Sequence, residues 1–85
     1  MREFFYVIKD AEGLHARPAG LLAKLAGKYQ SDIFLLHKGK KVSAKKLFSI
    51  MGLAVKCSDA VTVQIEGPDE EQACQDVQKL FAENL

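Results

Sequence analysis

Between Ala60 and Glu66 the chain alternates without a fault, with Val61, Val63 and Ile65 apolar and Thr62, Gln64 and Glu66 polar. Successive side chains of a strand point to opposite faces, so this stretch buries one face and leaves the other in water. The chain around it must therefore supply a one-sided cover. Residues 4–8 and 32–36 read as two further strands, rich in aromatic and β-branched residues. Lys38-Gly39-Lys40 has the chemistry of a hairpin turn, and residues 41–43 would form a short lysine-rich edge strand after it. Helical spacing appears in three places. Leu21, Leu22, Leu25 and Tyr29 predict a helix over residues 16–28. Leu47, Phe48, Ile50, Met51 and Leu53 predict a short one ending near Gly52. Ala73, Val77, Leu80 and Phe81 predict a third, with Asp69 as its N-cap, Gln72 three residues on, and Glu70 and Glu71 in the first turn. The order is βαββαβα, an α+β arrangement in which helices cover one face of an antiparallel sheet.

The stretch with chemical promise is Gly13-Leu14-His15-Ala16-Arg17-Pro18, at the entry to the first helix. The first N–H groups of a helix lack intrahelical partners and its dipole is positive there, so an anion near Ala16 and Arg17 gains donors and potential together. Pro18 gives up an N–H that would be unpaired anyway. Histidine can form a covalent intermediate, and arginine grips phosphate oxygens in pairs. His15 and Arg17 are accordingly the candidate phosphoryl acceptor and phosphate ligand, with the backbone N–H groups of Ala16 and Arg17 beside them.

Eighty-five residues suffice for one domain with one modest core. No apolar run approaches the ~20 residues of a bilayer span, and the N-terminal residues lack an export signal, so no membrane insertion and a cytoplasmic location are expected. Cys57 and Cys74 fit no redox or disulfide pattern and are expected to remain thiols, Cys74 partly buried. Two histidines and two cysteines without ligand spacing suggest no metal site, and His37 is given no role. Charge is uneven: residues 24–56 carry eight lysines against Asp32 alone, and residues 57–85 carry seven acids against Lys79 alone. A basic docking surface for an acidic protein fits this better than nucleic acid, because Arg2 and Arg17 are the only arginines and no nucleic-acid motif is present. Strand alternation that turns Phe4, Tyr6, Ile8, Ile33 and Leu35 toward the helices turns Phe5, Val7, Phe34 and Leu36 outward, a surface suited to weak self-association.

Gly13 to Ala19 matches the Gly-Leu/Ile-His-Ala/Thr-Arg-Pro-Ala pattern of HPr, the histidine-containing phosphocarrier family of the bacterial sugar phosphotransferase system. The likeness runs on through Lys41-Val42-Ser43-Ala44-Lys45, Leu47-Phe48 and Gly67-Pro68-Asp69-Glu70-Glu71-Gln72. The resemblance implies an open-faced β-sandwich of one domain over residues 1–85, strand order 1-4-2-3, with three helices on one face. It implies that His15 accepts a phosphoryl group on Nδ1 from phospho-enzyme I and passes it to enzyme IIA domains, acting as a carrier without being a catalyst and without a cofactor. It also implies partner contact through Leu47, Phe48 and Met51 with Lys24, Lys45 and Lys46. A nitrogen-type regulatory relay or a non-catalytic binding module would be the alternatives, and the intact His15 argues against the second. Where some relatives carry a kinase-regulated serine this chain has Lys46, so that control has no acceptor there.

Overall fold

The computed structural model describes residues 1–85. Its elements are β1 (Arg2–Val7), α1 (Ala16–Ala26), β2 (Asp32–His37), β3 (Lys40–Ser43), α2 (Leu47–Gly52), β4 (Ala60–Glu66) and α3 (Glu70–Asn84). The strands form one antiparallel sheet in the order β1-β4-β2-β3. The expected order and architecture are thus observed, and the differences lie at element ends. β1 begins two residues early, at Arg2, because pairing with β4 extends to Arg2 opposite Ile65. β2 runs on to His37 because a two-residue turn pairs His37 with Lys40. Lys38 and Gly39 both have positive φ, 49° and 83°, which matches the turn to the twist of the strands. α1 stops at Ala26, two residues short of the expectation, where Gly27 follows and its N–H returns to the Ala23 carbonyl.

The central strand obeys its pattern. Val61, Val63 and Ile65 are buried, as are Ile33 and Leu35 on β2 and Ala73, Val77 and Phe81 on α3. Phe81 packs nearly perpendicular to Phe4 and Tyr6 at centroid distances of 5.6 and 5.3 Å, the edge-to-face arrangement that sets a positive ring edge against a negative ring face. Leu22 and Ala26 of α1 complete this core with Ile50 of α2. The Tyr29 hydroxyl donates to Asp76 of α3, joining the end of α1 to its neighbour. No helix is long and apolar enough to cross a membrane. Cys57 is an exposed thiol, and partial burial pushes the Cys74 thiol up from its usual range.

The capping box predicted for α3 does not form. Asp69 occupies the N-cap position, but its carboxylate turns away and accepts the N–H groups of Gln30 and Ser31, both at 2.9 Å, and the Ser31 hydroxyl. The turn between α1 and β2 delivers these donors to Asp69, where three outcompete the one that a cap would satisfy. The Ser31 hydroxyl and the Gln30 N–H hold the Asp69 carboxyl below the usual carboxylate range. Glu70 takes up part of the capping, accepting the Gly67 N–H at 3.1 Å, while Gln72 donates to Asp76 at 2.9 Å.

Candidate functional site

The loop between β1 and α1 is shaped by its own polar groups. Asp10 accepts the Glu12 N–H on its side chain at 2.8 Å and the Gly13 N–H on its carbonyl at 2.9 Å, closing a tight turn. Gly13 then takes φ +71° and lies so close to residues 55 and 56 that a Cβ there would stand 2.4 Å from the Val55 carbonyl oxygen. Only glycine satisfies both demands. The Leu14 N–H donates to that same Val55 carbonyl at 3.0 Å, and the Leu14 side chain is buried. His15 emerges from this anchored pair as the N-cap of α1, with an extended backbone (φ −85°, ψ −173°) and its carbonyl accepting the Ala19 N–H at 2.9 Å.

The imidazole of His15 does not cap its own helix. It is one-third exposed, and both ring nitrogens stay free of strong hydrogen bonds. Pro18 has no N–H and Ala19 bonds to His15, so the open donors of this helix end are Ala16 and Arg17, neither of which meets an acceptor in the chain. Arg17 is exposed and makes no ion pair or hydrogen bond of its own. His15, Arg17, Asp10 and Glu12 border an open depression of about 440 Å³, closed on its far side by Glu83 and Asn84 at the end of α3. The Leu85 backbone oxygen accepts the N–H groups of Lys9, at 2.5 Å, and Asp10, at 2.8 Å, which brings that end of the chain to the loop.

Two neighbours of His15 escape the sequence reading. The Glu12 carboxylate lies 3.7 Å from Nδ1, and that of Asp10 lies 3.9 Å from Nε2. These separations are too long for hydrogen bonds yet short enough for electrostatic coupling. The available signal was the spacing of Glu12 and His15 across a turn that Gly13 folds back on itself.

The residues expected to meet partners fall into distinct groups. Phe48 is 83% exposed and Met51 is 39% exposed on α2, while Ile50 between them is buried. Leu47 is half-buried against the core. Lys24 on α1 and Lys46 at the start of α2 are exposed. Lys45 is not a free cation, because its Nζ donates to the Tyr29 carbonyl at 2.9 Å and ties the approach to α2 to the end of α1.

A family model described as the PTS HPr component phosphorylation site matches residues 3–83. The chain belongs to the HPr family. The phosphocarrier protein HPr of Mycoplasma capricolum is 38% identical over 79 residues, covering 93% of this chain and 89% of that protein. A mycoplasma histidine-containing phosphocarrier protein superposes with a TM-score of 0.94 at 35% identity, over 96% of this chain and 93% of that one. The crystal structure of an HPr dimer from Thermoanaerobacter tengcongensis is 40% identical, with a TM-score of 0.78 over 98% of this chain and 95% of that one. As an HPr, the chain is a phosphoryl carrier of the phosphotransferase system and its partners are components of that system; it is not itself a catalyst.

Proposed function

We propose that His15 is the phosphoryl acceptor of this carrier, charged by phospho-enzyme I and discharged to enzyme IIA domains, and that residues 1–85 act as one domain in the cytoplasm. The observation that carries the reading is the position of His15 as an N-cap whose ring is free, beside the two unpaired N–H groups of Ala16 and Arg17. A phosphoryl group on Nδ1 would meet those donors and the positive helix end. Arg17, free of other partners, supplies the paired donors that neutralise its charge. Positioning and electrostatic complementarity then do the work, with neutral imidazole as nucleophile and no metal required. Phe48 and Met51 form the apolar centre of the docking surface, supported from beneath by Leu47. Lys24, Lys46 and the tethered Lys45 surround it with positive charge suited to acidic partners.

Incubation with phosphoenolpyruvate and enzyme I should place acid-labile phosphate on the chain, and NMR of the imidazole nitrogens should locate it on His15. Stable labelling of a serine, or none at all, would overturn the assignment. Arg17→Lys retains the charge but replaces the planar fork with a single ammonium, so transfer should slow by about tenfold, equivalent to about 1.4 kcal/mol. Equal rates would reduce Arg17 to a distant charge.

The open face of the sheet supports a second interaction, with another copy of this chain. Phe5 is 67% exposed and Val7 is 43% exposed, while Phe34 and Leu36 are half-buried, with the Lys41 Nζ 4.6 Å from the Phe34 ring centroid. Register places Phe5, Thr62, Leu36 and Lys41 in one row across the sheet and Glu3, Gln64, Phe34 and Ser43 in the next. A copy turned about a two-fold axis along the strands lays its β3 edge over β1, with its Lys41 opposite Phe5 and Glu3 one row along. Sedimentation should show a mass that rises with concentration and falls back in Phe5→Glu; a wild type monomeric at every concentration would exclude this contact.

A further inference from the structure

Residues 54–59 link α2 to β4, and they form the wall on which the His15 loop rests. The Val55 carbonyl accepts the Leu14 N–H, and Val55 and Lys56 together confine Gly13. This wall has little regular structure. Ala54 and Ser58 both take positive φ, 53° and 75°, conformations costly for residues other than glycine. Something must hold them.

Ala54 is held by its N–H, which donates to the Met51 carbonyl at 3.1 Å, Ser58 by its N–H, which donates to the Ile8 carbonyl at 2.8 Å, and the turn over residues 56–59 by Asp59. One carboxylate oxygen, Oδ2, accepts both the Lys56 N–H at 3.0 Å and the His37 ring at 2.9 Å, with the Lys38 ammonium 3.8 Å away. Its backbone N–H donates to the Lys56 carbonyl at 3.0 Å, and its carbonyl accepts the Ile8 N–H at 2.9 Å. Asp59 thereby closes the turn over residues 56–59 and attaches it both to the end of β1 and to the hairpin between β2 and β3. His37 is only 5% exposed, so its ring is a fixed internal donor. The Lys56 N–H and the His37 ring hold the Asp59 carboxyl below the usual carboxylate range, keeping it an acceptor.

We propose that His37 and Asp59 are positioning residues for phosphoryl transfer, acting on His15 through the Val55 carbonyl and the Gly13–Leu14 backbone. This rests on His15 being the acceptor, and it gives His37 a role that its place in the sequence did not suggest. The pair touches neither the phosphoryl group nor the docking surface around Phe48. Losing it lets the wall relax, the Leu14 bond weaken and the imidazole wander from its approach line. Misplacement by about 1 Å can cost a transfer reaction on the order of 100-fold.

The test compares Asp59→Ala and His37→Phe, which remove the acceptor and the donor, with His37→Gln, whose amide N–H can reach about where Nε2 stood. Enzyme I-dependent phosphorylation gives kcat and KM, and native-state hydrogen exchange follows the Leu14 amide beside core amides of β4 and α3. In Asp59→Ala and His37→Phe, kcat should fall about tenfold or more with KM little changed, and Leu14 exchange should rise by more than that of the core amides. His37→Gln should restore both. Unchanged kcat in the two disrupting variants, or Leu14 exchange that rises only in step with the core, would overturn the proposal. If the wild type were labelled elsewhere than on His15, the acceptor assignment would fail separately, and Leu14 exchange would still report whether the pair governs the loop. Should Asp59→Ala fail to fold, His37→Phe decides alone, since it keeps an aromatic ring of similar size in the buried position.

Discussion

In His15→Ala, acid-labile labelling by phosphoenolpyruvate and enzyme I is expected to vanish while the melting temperature hardly moves. The two halves of this result have separate causes. Labelling vanishes because no other imidazole is available, since His37 is buried against Asp59. The fold survives because the His15 side chain makes no hydrogen bond, does not cap α1 and is one-third exposed. A histidine whose ring did cap the helix would cost about 1 kcal/mol on removal; this one should stay within about 0.5 kcal/mol. Scanning calorimetry beside the labelling assay checks both halves. Full labelling would refute the acceptor assignment, and a large loss of stability would mean that the ring supports the loop.

Gly13→Ala should do the reverse, damaging the fold of the site without touching a reactive group. An alanine there must hold φ near +71° and place its Cβ 2.4 Å from the Val55 oxygen and 2.7 Å from the Lys56 Cα, both backbone atoms that cannot swing aside. The left-handed conformation costs about 1–2 kcal/mol, and relieving the overlap separates the loop from the wall that receives the Leu14 N–H. A loss of about 3–5 kcal/mol follows, lowering the melting temperature by about 12 °C or more in a domain of this size. Gly39→Ala is the internal control, since Gly39 has φ +83° but open space around it, and only the conformational cost of about 1–2 kcal/mol applies. Equal losses in the two variants would show that the close approach to Val55 contributes nothing.

These contrasts mark where sequence reading succeeds. Alternation in β4, the Lys38-Gly39 turn and the start of α1 are local properties, written in neighbouring residues, whereas sheet order is carried only by the family likeness. His15 and Arg17 stand out for the same reason, as residue types two apart, and the structure places both at the entry to α1. The groups that local sequence does not reveal act across long separations. Asp69 looks like a cap until the Gln30–Ser31 turn, 38 residues away for Ser31, arrives with better donors. Lys45 looks like a free cation until the Tyr29 carbonyl is beside it. His37 and Asp59, 22 residues apart, have no spacing that signals a pair, because packing of the hairpin against the approach to β4 creates it. Asp10 and Glu12 are nearer, yet only the reversal at Gly13 turns them toward the ring.

Those two carboxylates give the carrier a thermodynamic character. With His15 as acceptor, the arriving phosphoryl dianion settles among Arg17 and two helix N–H groups on one side and the negative charges of Asp10 and Glu12 on the other. Attraction assembles the charged form, and repulsion prevents it from becoming a resting place. Repulsion from the two carboxylates would then raise the free energy of the phosphorylated carrier, so the acid rim would favour onward transfer where a purely basic pocket would bind the cargo as a sink.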